Sequence, residues 1–161
     1  MEIADGRMYL FEERVPLRTH QILRHELKDG RPTLYISKHS PMQLRTQFNF
    51  DPSLMKTLWL SPRPESDCIP PMNLKMFETR VKEFLEEYPD GIVALNGIDV
   101  LEMWNGLRPV LDVLRRAQER VSSNGTNMLI SMDPKNYSER TVSEMEKISD
   151  EVVCSVSEAD S

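Results

Sequence analysis

The stretch from Asp90 to Pro134, DGIVALNGIDVLEMWNGLRPVLDVLRRAQERVSSNGTNMLISMDP, limits the possible folds more than any other part of the chain. Ile92, Val93, Ala94 and Leu95 form a short apolar run between the turn-prone Pro89-Asp90-Gly91 and Asn96-Gly97. Leu107, Val110, Leu111, Leu114, Ala117 and Val121 then recur at helical spacing, with Arg115, Arg116, Glu119 and Arg120 off that stripe. Ser122 to Gly125 ends the helix, and Asn127 to Met132 is a second apolar run closed by Asp133-Pro134. Two buried strands joined by a helix of about four turns predict a right-handed βαβ unit in a parallel sheet.

The remaining segments extend that pattern. Arg7 to Phe11 reads as a first strand, followed by a helix from Pro16 to about Lys28 with Ile22, Leu23 and Leu27 inward. Thr33 to Ser37 is a second buried strand, and Ser40 caps a short helix after it. Leu54 to Leu60 is a third strand. Ser61 to Asn73 holds prolines at 62, 64, 70 and 71 and reads as loop. Asn73 caps a helix with Leu74, Phe77, Val81, Phe84, Leu85 and Tyr88 on one face. Ser138 caps a last helix, Glu151 to Val156 is a closing strand, and residues 157–161 read as a disordered tail. Strands alternating with helices predict a three-layer α/β/α sandwich on a mostly parallel sheet of about six strands, built as a single domain over residues 1–156.

Composition excludes some function classes. The chain has 161 residues and a formal net charge of −6, and no run of Lys or Arg exceeds two. A non-specific nucleic-acid surface needs clustered cations, so no nucleic-acid partner is expected. No stretch approaches the roughly 18 apolar residues of a membrane span, and the N-terminus lacks the pattern of a signal peptide. Cys68 and Cys154 lie far apart without ligand spacing, as in a reduced cytoplasmic protein with incidental thiols.

Open parallel sheets bind ligands beyond the carboxyl ends of their strands. The residues emerging there include Lys38, His39, Arg63, Asn96, Asp99 and Asp133, a mixed-charge rim that could hold a nucleotide or a small molecule. Strand ends are also simply where polar residues reach water. Glu12, Glu13 and Arg14 follow the first strand, where a phosphate loop would need glycines. No Gly-x-x-x-x-Gly-Lys-[Ser/Thr] or Gly-x-Gly-x-x-Gly occurs anywhere. Acidic residues there would repel phosphate. Asn96 stands where a magnesium-binding carboxylate would be wanted. His20 and His25 are five apart on one helix and read as solvated surface residues. His39 alone has no obvious Cys or Ser nucleophile near it; paired with Asp99 or Asp133 it would serve an unrecognised hydrolase, a third alternative. Neither a catalytic triad nor a metal cluster is legible, and no cofactor is expected. Met103 and Trp104 lie in Gly97 to Gly106, where Ile98, Val100 and Leu101 are also apolar. Successive helical residues turn by about 100°, so some of these five side chains should face outward and serve a partner or a second copy. The alternative is that the 61–73 loop covers them.

The patterns TLYISKHSPMQLR, GIVALNGIDVLEMWNGLRPVLDVLRR and NMLISMDPKNYSERTVSEMEKISDEVV resemble the archaeal family called domain of unknown function 835. The resemblance spans roughly residues 7 to 156, and its most specific parts are the NGID element and the MDP-x-x-x-SER element. That family is similar in layout to RecA-like ATPases of the circadian-clock type. The resemblance implies a RecA-like topology with a degenerate phosphate loop. In that topology the first strand lies between the fifth and the last, the fourth lies between the fifth and the second, and the third is at the edge. Members often accompany sensory or receiver domains. This implies a non-catalytic regulatory or protein-interaction module in archaeal signal transduction, with a divergent nucleotide- or small-molecule-binding protein as the alternative.

Overall fold

The computed structural model describes residues 1–155. Its elements run β1 (Arg7–Glu12), α1 (Leu17–Lys28), β2 (Thr33–Ser37), α2 (Pro41–Gln47), β3 (Lys56–Leu60), β4 (Cys68–Ile69), α3 (Leu74–Glu87), β5 (Ile92–Asn96), α4 (Ile98–Asn105), α5 (Leu107–Asn124), β6 (Asn127–Met132), α6 (Glu139–Ile148) and β7 (Glu151–Cys154). The strands form one sheet in the order β4-β3-β2-β5-β6-β1-β7, with every neighbouring pair parallel. The predicted βαβ unit is present, in register from Ile92 opposite Asn127 to Asn96 opposite Ser131. Strands β2, β5 and β6 are buried along their whole length, as expected of strands covered on both faces.

Alternate residues of β1 divide between two cores. Met8 and Leu10 join Phe77, Val81, Val110, Leu114 and Met145 under α3, α4, α5 and α6. Tyr9 and Phe11 join Ile22, Leu23, Leu44 and Phe50 under α1 and α2. The layers are those predicted, α/β/α.

Several boundaries differ from the sequence reading, each for a local reason. The sheet has seven strands instead of about six, because Cys68 and Ile69 inside the Pro-rich loop pair with Trp59 and Leu60. A turn over 66–67, in which Cys68 N donates to Glu65 O, precedes these two residues and Pro70 follows them, so the ladder lasts only two positions. That short strand, and not β3, is the sheet edge. The third strand begins at Lys56, because Pro52–Leu54 closes into a 3₁₀ turn capped by Asp51, whose carboxylate accepts from Ser53 N. Gly97 to Gly106 is largely helical: Ile98–Asn105 forms α4, and Gly106 at φ +82° breaks it from α5. His20 is buried, not solvated. The closing strand ends at Cys154; Val156, its expected end, and the 157–161 tail lie outside the described residues.

Candidate functional site

The carboxyl ends of β1, β2, β5 and β6 open on a crevice of about 140 Å³. Its walls include Glu13, Arg14, Lys38, His39, Asn96 and Asp133. Four of the six predicted rim residues therefore meet there. Asp99 joins them from α4 through a 2.7 Å ion pair with Lys38 Nζ. Arg63 is not among the lining residues. Its guanidinium lies 5.4 Å from the Trp59 ring centroid and 3.8 Å from Glu65.

Each rim side chain is tied to its surroundings. Lys38 follows β2, and its N–H donates to Asn96 O at 2.7 Å, extending the β2–β5 ladder by one bond. Asp99 sits in the first turn of α4, where a carboxylate complements the helix dipole. Its backbone N–H donates to Tyr137 Oη at 2.8 Å, while its Oδ1 is buried with no partner. Burial, and then Asp99, push the Tyr137 hydroxyl well above the usual range, so it is neutral. Asp133 caps the Pro134–Asn136 turn by accepting from Lys135 N at 3.0 Å. His39 packs its ring 4.6 Å from that of Phe48; burial, and then Lys38, lower its pKa, with Asp99 acting in the opposite direction. No carboxylate hydrogen-bonds the His39 ring among the described residues, so a His39–Asp dyad is not assembled in this geometry.

The NGID and MDP-x-x-x-SER elements meet at this rim. Besides the Asp99–Tyr137 bond, Thr141 Oγ1 donates to Glu102 Oε1 at 3.0 Å, joining α6 to α4. Ser138 caps α6 through Thr141 N. Gly97 starts α4 hard against the sheet: a Cβ there would lie 2.5 Å from Leu60 Cδ1 and 3.5 Å from Lys38 Cβ.

Glu13, expected only to repel phosphate at this position, has a structural role that sequence reasoning missed: it is only 4% exposed. Its Oε1 accepts from Arg18 N at 2.9 Å, and its Oε2 accepts from Thr19 Oγ1 and Ser131 Oγ, each at 2.6 Å. Its own N–H donates to Met132 O. A carboxylate of the chain thus lies at the N-terminal end of α1, where free N–H groups and the helix dipole favour an anion. A signal was available in the sequence. Glu12 to Thr19 has the eight-residue length of a phosphate loop and ends in the basic-then-hydroxyl pair Arg18-Thr19. The missing glycines had hidden that correspondence.

Met103 and Trp104 are 73% and 55% exposed, while Ile98 and Leu101 on the same helix are fully buried. The 61–73 loop reaches α4 through Asn105 Nδ2, which donates to Pro71 O at 2.9 Å, but it leaves both side chains uncovered. No helix among the described residues is long and apolar enough to cross a membrane.

In fold, the chain is similar to a KaiC-like protein from the hyperthermophilic archaeon Pyrococcus horikoshii OT3. The match has a TM-score of 0.67 at 13% sequence identity, and covers 93% of this chain and 72% of that one. No curated protein matches the chain. The strand order, with β1 between β6 and β7 and β5 between β2 and β6, is the one the RecA-like resemblance implies. The model of the family described as "Protein of unknown function (DUF835)" matches residues 16–148, most of the chain, and this protein belongs to that family.

Proposed function

We propose that this protein is a non-catalytic interaction module with a regulatory role in archaeal signal transduction, acting in the cytoplasm. Its contact surface centres on Met103 and Trp104, and its target is a protein partner or a second copy of the chain. The observation that supports this reading most is the exposure of a Met–Trp pair on a short helix whose Ile98 and Leu101 are buried in the core. A large aromatic beside a flexible thioether is costly to leave in water and is favoured at partner surfaces. The rim adds support, because Lys38 is paired with Asp99 and the Glu13 carboxylate is taken up by three hydrogen-bond donors of the chain itself.

Sedimentation of the wild type and of Trp104→Glu at high micromolar concentration tests the self-association form. Association lost in the variant is the expected result. A monomeric wild type removes the homodimer. A photo-crosslinker at position 103 that then captures no protein in cells overturns the module reading as a whole.

The crevice favours a second reading, a small-molecule binding protein. Its volume of about 140 Å³ falls below the roughly 300–1,000 Å³ of drug-sized ligand pockets. A whole nucleotide would have to lie largely outside it. A thermal-shift panel separates the two readings. Saturation at about 100 times Kd adds roughly 2.7 kcal/mol of stability, a shift of several degrees. A clear shift with ATP and magnesium would sink the non-catalytic module.

A further inference from the structure

We propose that the Glu13 carboxylate is a built-in anion, occupying a seat that otherwise takes a phosphate-sized oxyanion and closing that seat to external ones. The inference concerns the floor of the crevice and is independent of the Met103–Trp104 surface. The seat is more than a helix end. Thr19 on α1 and Ser131 on β6 supply hydroxyl donors from two different elements, and both residues are buried. Arg18 N supplies the third donor from the first turn of α1. All three converge on the two oxygens of one carboxylate, at 2.6 to 2.9 Å, the short range of charge-assisted bonds. The evidence that this seat accepts an anion is that it already holds one.

Size and access define the class of ligand. A carboxylate presents two oxygens to these donors, and phosphate or sulfate presents two of its own in the same way, with the others directed outward. Glu13 lines the crevice, so shortening it joins the vacated seat to open space instead of sealing a dry void. Inorganic phosphate fits that combined space. In the wild type the tethered carboxylate competes intramolecularly, at an effective concentration of at least millimolar order, so free phosphate is excluded.

The test titrates wild type and Glu13→Ser with inorganic phosphate, read by calorimetry and by ³¹P line width. Potassium chloride of equal ionic strength is the control, and circular dichroism confirms the fold. Wild type is expected to bind no phosphate at millimolar concentration. Glu13→Ser is expected to bind it with a Kd on the order of 1 mM or tighter. Adding Thr19→Val should weaken that binding by about tenfold, the typical effect of losing one such bond. A folded Glu13→Ser that binds phosphate no better than wild type overturns the proposal. So does binding that Thr19→Val leaves unchanged. If Glu13→Ser does not fold in chloride, phosphate must restore it; failure of phosphate to do so equally overturns the proposal.

Discussion

Arg31 does at the amino ends of the strands what Glu13 does at their carboxyl ends. Its guanidinium donates to Asp90 O at 2.6 Å, to Gly91 O at 3.3 Å and to Asn127 Oδ1 at 2.7 Å, with Glu26 at 3.6 Å. Asn127 in turn donates to Ala4 O and Arg7 O, so one half-buried cation joins the entries of β2, β5, β6 and β1. Removing it deletes three hydrogen bonds, two of them part-buried, so Arg31→Ala should destabilise by roughly 1–2 kcal/mol in urea unfolding. Arg31→Lys should recover only part of that, because an ammonium cannot reproduce the planar fork. Two other residues set opposite pH trends. Burial, and then Glu146, raise Glu12 from 4.5 to about 7. Below 4.5 Glu12 is protonated folded and unfolded. As pH rises towards 7 the unfolded chain ionises first, so the stability from this group is lost across that window. His20 lies 2.7 Å from Tyr35 Oη and is lowered from 6.5 to about 3 by burial, then by Arg24 and His39. It stays neutral in the fold, and its contribution is lost as pH falls from 6.5 towards 3. Stability measured from pH 4 to 8 for wild type and Glu12→Gln separates the two: the wild type should lose stability relative to the variant as pH rises. Parallel curves would mean that Glu12 titrates normally.

At the scale of elements, α5 carries the heaviest packing. Leu114 is wholly buried at its middle, facing β1 and β6 through the larger core. Leu114→Ala should therefore cost roughly 2–5 kcal/mol by chemical denaturation. A cost below about 0.5 kcal/mol, the range of surface substitutions, would mean the buried stripe is misassigned. Elements such as α5 were legible because one sequence period, repeated over several turns, matches one buried face. β5 and β6 were legible because continuous apolar runs mean burial on both sides. What escaped the sequence was short or non-local. β4 is two residues long, less than any periodicity can register. The five apolar residues of Gly97 to Gly106 do not fit one helical stripe, so the sequence left open which of them face outward; the structure buries Ile98 and Leu101 and leaves Met103 and Trp104 outside. The rim was legible as a set of strand-end positions, and four of its residues do line the crevice. The roles of Glu13 and Arg31 depend on partners more than fifty residues away, Ser131 and Asn127, and no local pattern encodes such a pairing.

At the scale of the molecule, the sheet joins strands far apart in the chain. β1 lies between β6 and β7, with Arg7 O bonded to Asn127 at a separation of 120 residues and Met8 N bonded to Asp150 at 142. Contacts this distant in sequence carry a large loop-closure cost and slow the search for the native state. On the ribosome the consequence is an inverted order of assembly. Of the strands in this sheet, β1 is synthesised before the others and is the last to find both neighbours, because its slot does not exist until β6 and β7 have emerged. Until then β2, β3 and β5 can pair with one another, while RMYLF waits with both edges bare. A nascent chain arrested with its residues up to Gly125 emerged from the ribosome should hold the first group protease-resistant and leave β1 open to cleavage. Release of the remaining residues should close both sides of β1 together.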